Sequence, residues 1–193
     1  KIHKLYLDAE GAKLRIHIFG ASGAGTSTLG SHLSEKLRVA LFDSDNYFWK
    51  KTDPPFVGKS PIPERHRLML ADMKGLDDWV LSGAMDSWSE PFVPLFDLVT
   101  FLYVPAEVRI DRLKKRELQR HGNRVLPGGD MHQAHLDFIE WARQYDEGFL
   151  AGRNIKRHEE WMENLRCPVL KIEGDVSLEN SISLVLQRIG ELK

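Results

Sequence analysis

The chain has 193 residues, 42% of them hydrophobic and 28% charged, which supports one packed core and excludes wholesale disorder. Its 27 Lys and Arg against 28 Asp and Glu leave a formal charge of −1, which argues against a nucleic-acid partner. The single cysteine, Cys167, excludes an internal disulfide, no Cys/His cluster reads as a zinc site, and apolar runs stop well short of the ~18 residues of a membrane helix. No basic-then-apolar leader opens the chain, so the expected location is cytoplasmic.

Short β-rich runs alternate with longer helical ones. Leu14 to Phe19 reads as a buried strand, and Thr28 to Arg38 as a helix with Leu29, Leu33 and Leu37 on one face. Val39 to Phe42 is a second strand. Asp53-Pro54-Pro55 and Pro61 to Pro63 mark a loop, and Pro63 suits the first turn of a helix to about Leu76. Trp79 to Ser82 is a third strand. Leu98 to Val104 is the strongest strand, followed by a charged helix over Ala106 to His121 and a Gly/Pro loop over Gly122 to Asp130. Met131, His135, Phe138, Ala142, Tyr145 and Phe149 recur at helical steps, as do Ile155, His158, Met162 and Leu165. Pro168 to Glu173 is the last strand, and Leu178 to Ile189 the closing helix.

This order predicts one α/β domain over 1–193, with a mainly parallel five-stranded sheet and helices on both faces. Such sheets bind ligands at the carboxyl ends of their strands. The first such loop reads Gly20, Ala21, Ser22, Gly23, Ala24, Gly25, Thr26, Ser27, Thr28. Gly20 and Gly25 stand at the glycine spacing of G-x-x-x-x-G-K-[ST], the Walker A motif, with Ser27 where a hydroxyl meets Mg²⁺. Glycines let the chain turn and let a ligand approach the backbone. Inward N–H groups and the helix N-terminus then hold phosphates. Thr26 occupies the lysine position and offers a hydroxyl but no charge, so a cation must come from elsewhere or turnover suffers.

These residues resemble the P-loop small-molecule and nucleoside monophosphate kinases: adenylate, cytidylate, shikimate and gluconate kinases. Gly25-Thr26-Ser27-Thr28 resembles the lysine-free loop of some cytidylate kinases. The resemblance implies the three-layer P-loop NTPase fold with a small lid, and an ATP- and Mg²⁺-dependent phosphotransferase. It implies an acceptor-binding region at about 46–78 and a lid at about 112–130. A nucleoside monophosphate is the leading acceptor. A hydroxylated metabolite of shikimate or gluconate type is the alternative, as is a catalytically weak nucleotide-binding regulatory protein.

Asp43-Ser44-Asp45 follows the second strand, where two carboxylates one residue apart point to opposite sides if the chain is extended. An Asx-turn or helix cap accounts for the same residues. The triplet resembles the D-x-D of shikimate and gluconate kinases. That likeness has Asp43 holding Mg²⁺ through water and Asp45 orienting or deprotonating the acceptor. Arg109, Arg112, Arg116 and Arg120 are spaced three, four and four on the charged helix, with Arg124 in the loop beyond. A solvated face paired with Asp111 and Glu117 explains them equally well. In the kinases resembled, lid arginines close over phosphates, which points first to Arg112 and Arg116, then Arg120 and Arg124. Asp175, in Gly174-Asp175-Val176, sits where these kinases clasp adenine; Asp175 or Ser177 can also cap the closing helix, and both roles can hold at once. Arg65, Arg67 and Asp86 are weaker candidates.

Overall fold

The computed structural model describes residues 13–148 and 152–192. Five strands form one parallel sheet: β1 (Leu14–Gly20), β2 (Ala40–Asp43), β3 (Asp78–Ser82), β4 (Leu98–Tyr103) and β5 (Val169–Glu173). Their order across the sheet is β2-β3-β1-β4-β5. The helices are α1 (Thr26–Leu37), α2 (Asp45–Phe48), α3 (Ile62–Met73), α4 (Ala106–His121), α5 (His132–Arg143), α6 (Ile155–Glu163) and α7 (Leu178–Glu191). Each expected strand is present within about two residues. The stripe from Met131 runs differently: α5 ends at Arg143, Tyr145 lies in a 3₁₀ turn over Gln144–Glu147, and Phe149 lies outside the described residues.

Alternation along β1 explains the layers. Ile16 and Ile18 face one side with Leu29, Leu33, Val185 and Ile189 of α1 and α7. Phe19 faces the other with Met69, Trp79, Trp88, Phe101 and Met162. Both faces are covered, as a parallel sheet requires. Each fully buried aliphatic or aromatic side chain contributes about 1.5–3 kcal/mol. No helix among the described residues is long and apolar enough to cross a membrane.

The register brings the strand ends together. Gly20 pairs with Leu102, Asp43 with Ser82, and Tyr103 with Glu173. The loops after all five strands therefore open on one edge.

His17 lies inside the second layer with no exposed surface, stacked between Phe19 and Phe96. Burial lowers its pKa from 6.5 to about 3, against the hydrogen bond from Nδ1 to the Leu81 carbonyl. The unfolded chain takes up this proton at a higher pH than the folded one. Stability is therefore lost as pH falls from 6.5 towards 3, by roughly 1.4 kcal/mol per pH unit. His17→Phe is expected to remove that dependence. Urea denaturation at pH 7 and pH 4.5 should show the variant gaining roughly 2–3 kcal/mol on wild type at the lower pH. Parallel losses in the two proteins would mean that His17 is protonated without penalty.

Candidate active site

The loop between β1 and α1 turns through Gly23 and Gly25, at φ 85° and 97°. Gly25 precedes the first residue of α1 and no side chain caps the helix, so its first amides are left for a ligand. The helix starts at Thr26, two residues earlier than the hydrophobic spacing suggests, because the left-handed Gly25 sets its start. Ala21 and Ala24 are buried and anchor the loop. Gly20 and Gly23 serve packing: a Cβ on either would meet a backbone oxygen, of Leu102 at 2.4 Å or Arg109 at 2.6 Å. A Cβ on Gly25 would meet nothing within 4 Å.

The acidic turn differs from the extended expectation. Ser44 is fully buried, its N–H donating to the Ser82 carbonyl and its hydroxyl to that of Ala84. Gly83 permits this contact, since a Cβ there would strike the Ser44 hydroxyl. Gly83 thus serves the backbone packing. The chain bends at Ser44 (φ −59°, ψ −30°), and the Asp45 N–H donates to Asp43 Oδ1 at 3.0 Å. The Asx-type turn and the paired carboxylates are one structure.

That bend brings Asp43 to the loop. Ser27 Oγ donates to Asp43 Oδ2 at 2.9 Å. A hydroxyl that can meet Mg²⁺ directly, hydrogen-bonded to a carboxylate that can hold the ion through water, fits an ion that keeps several waters. Among the described residues no group of three His, Cys, Asp or Glu side chains gathers to hold a metal. Mg²⁺ characteristically takes only one or two protein ligands, with phosphates and water completing its shell.

Asp45 is exposed to solvent yet walled by protein, and the loss of water raises its pKa above the usual carboxylate value. The charges of Arg153, Arg116 and Arg120 oppose that rise, while Asp43 adds to it. Arg116 and Arg120 lie on α4, and burial and the neighbouring Arg120 charge press the Arg116 pKa down. Arg153, just before α6, was not anticipated from the sequence. Its Nη1 donates to Ser22 Oγ in the phosphate loop at 3.2 Å.

The other arginines of the α4 stripe part company. Arg109 is wholly buried, donating to the carbonyls of Val104 and Ala142 and to Asp146 at 2.7 Å. It holds the fold together. Arg112 pairs with Asp175 at 2.5 Å, tying α4 to the loop after β5. Asp175 does not cap α7, since Ser177 accepts from the Asn180 N–H in that role. Arg124 pairs with Asp130 at 2.7 Å and Asp53 at 2.8 Å. Asp86 is engaged beneath the site by Arg157 and by His158, whose Nε2 lies 3.6 Å away. His158 Nδ1 meets the Tyr145 hydroxyl at 2.8 Å.

An open cleft of about 490 Å³ lies beside Asp45, lined also by Trp49, Lys50, Lys51, Asp53 and Phe56. Of the three aromatics after the acidic turn, Trp49 alone lines it. Tyr47 donates to Asp72, and Phe48 carries the Arg65 guanidinium 4.0 Å from its ring centroid. Arg65 is buried; its Nε donates to the Ser60 carbonyl at 2.7 Å.

Sheet order, glycine loop and acidic turn together define an α/β protein with the P-loop kinase fold. Shikimate kinase from Acinetobacter baumannii, in complex with shikimate, superposes with a TM-score of 0.55 at 21% identity, covering 99% of this chain and 98% of that one. Deoxyadenosine kinase from M. mycoides with bound dATP gives 0.52 at 16% identity, covering 92% and 100%. In sequence, shikimate kinase of Tolumonas auensis is 29% identical over 121 residues, 56% of this chain and 70% of that one. No family model matches the chain. The uncharacterized protein YqaC of Bacillus subtilis (strain 168) is 45% identical over 178 residues, covering 92% of this chain and 98% of that one, and the chain belongs to its family.

Proposed function

We propose that the chain is an ATP- and Mg²⁺-dependent phosphotransferase that moves the γ-phosphoryl group to a hydroxyl of a small anionic metabolite. The observation that carries this reading is the placement of Asp45. It stands two residues beyond the Ser27–Asp43 pair, in the field of Arg153, Arg116 and Arg120. Phosphoryl transfer asks a protein mainly for positioning and charge neutralisation, and those groups supply both.

Gly20 to Thr28 would cradle the phosphates with backbone amides. Ser27 and Asp43 would hold Mg²⁺, which when bound neutralises charge on the phosphate oxygens. Asp45 orients the acceptor hydroxyl and takes its proton. Arg116 and Arg120, at the root of a lid over 112–130, would add positive charge in the field of Asp45. Arg112 and Asp175 brace the loop on the adenine side.

The similarity to shikimate kinases favours a hydroxylated metabolite over the nucleoside monophosphate that leads the sequence-based expectation. Chemistry supports the same choice. A monophosphate acceptor is already ionised near neutral pH and needs no base, whereas a hydroxyl does. Arg65 supports an anionic group on the acceptor: it is buried over Phe48 and has no carboxylate partner among the described residues.

The test is ADP release from Mg·ATP with a panel of hydroxylated carboxylates, sugar phosphates and nucleoside monophosphates. Transfer to a hydroxylated anion is expected. Arg65→Met should raise the KM for that acceptor roughly 10–100-fold, the worth of a charge-assisted hydrogen bond. Transfer only to monophosphates would overturn the choice of acceptor. ATP binding with no transfer to any of them would favour the regulatory reading.

A further inference from the structure

We infer that Arg153 supplies the positive charge at the phosphate loop that Thr26, in the lysine position, does not. The inference rests on the nucleotide-binding reading above and names the cation that completes it.

A cation replacing that lysine must reach the loop and must not be neutralised by a carboxylate. Arg109 is spent on Asp146, Arg112 on Asp175, Arg124 on Asp130 and Asp53, and Arg157 on Asp86. Arg116 touches Glu117 at 3.4 Å. Arg120 is exposed on the outer end of α4 and makes no bond to the loop. Arg153 alone of these donates to a loop side chain, Ser22 Oγ at 3.2 Å. Among the described residues it has no carboxylate within ion-pair distance.

Its position is also fixed. Arg153 is half-buried, with its guanidinium 6.0 Å from the centroid of the Trp141 ring. It immediately precedes Asn154, whose side chain caps α6 by accepting from the Arg157 N–H at 2.8 Å. The first turn of α6 is pinned in turn by Asp86, through Arg157 and His158. The base of Arg153 is therefore anchored at the start of α6, while its tip reaches Ser22 in the phosphate loop and its charge acts on Asp45. A lysine at position 26 would reach the same phosphates from the helix. A guanidinium arriving from across the site, with a planar fork of donors, does the same work from the other side.

The experiment measures affinities for ATP, ADP and adenosine by calorimetry, in wild type, Arg153→Ala, Thr26→Lys and the double variant. Thermal unfolding confirms that each is folded. Arg153→Ala should weaken ATP binding about 10–100-fold, the range of one or two charge-assisted hydrogen bonds, and leave adenosine unchanged. Thr26→Lys in the Arg153→Ala background should restore most of the loss, which a merely structural arginine would not permit. Equal losses for adenosine and ATP overturn the inference, as does a double variant no better than Arg153→Ala. Wild type that binds no ATP fails the proposed function instead, so the two failures are distinct.

Discussion

Gly25→Val is expected to abolish ATP binding in a protein that stays folded. Gly25 has φ 97°, and a Cβ there meets nothing within 4 Å. The valine would stand in the hollow before the uncapped first turn of α1, where the phosphates are proposed to sit. Its conformational strain, for a β-branched residue at positive φ, is about 1–3 kcal/mol, within what a domain tolerates. Each backbone hydrogen bond to an anion denied by the side chain is worth about 1.5–3 kcal/mol, so losing two weakens binding roughly 10²–10⁴-fold. Gly20→Val and Gly23→Val should behave differently. Their side chains would collide with the Leu102 and Arg109 carbonyls, and backbone cannot yield as a side-chain tip does. Calorimetry and thermal denaturation separate the cases. Unchanged ATP affinity in Gly25→Val would remove the phosphate cradle from the account.

The parts of the site that the sequence made legible are those built from neighbours in the chain. The glycine loop and the acidic turn are contiguous, and each follows a strand whose apolar run is unmistakable. The strands themselves were legible because burial on both faces demands continuous β-rich apolar runs, as in Leu98 to Val104. The order β2-β3-β1-β4-β5 was not, because periodicity within a segment carries no record of which segment lies beside it.

Arg153 escaped for the same reason. It is 131 residues from Ser22 and sits in a stretch with no hydrophobic rhythm. The α4 arginines show a subtler limit. Their spacing places them on one stripe but does not say which partner each one meets. Arg109 and Arg120 are eleven residues apart, so about 16 Å of helix separates them. Over that length the stripe passes Asp146, then Asp175, then the field of Asp45, and each arginine takes the partner it meets. Ser44 completes the lesson. The sequence carries no sign that its hydroxyl is buried against Ser82 and Ala84, where the chain bends between the two carboxylates.

Asp45→Asn should lower turnover by roughly 10²–10⁴-fold, the usual contribution of a positioned general base, with ATP affinity nearly unchanged. The amide preserves the local geometry, since the contact that fixes the turn is the Asp45 backbone N–H donating to Asp43 Oδ1. Nucleotide affinity should if anything rise slightly, because a negative charge beside the phosphates is gone. The pH profile identifies the cause. Crowding by protein raises the Asp45 pKa above its ordinary value of 3.8, against the pull of the arginines. The carboxylate must be ionised to take a proton, so kcat/KM in wild type should fall on the acid side, at a pH above that value. A raised pKa also makes Asp45 a stronger base than an aspartate at its ordinary value, which favours transfer from a hydroxyl. The Asn variant should lack that acid limb altogether. Turnover near wild type with the acid limb intact would leave Asp45 as the first residue of a short helix and nothing more, and the base would have to be sought elsewhere along the cleft.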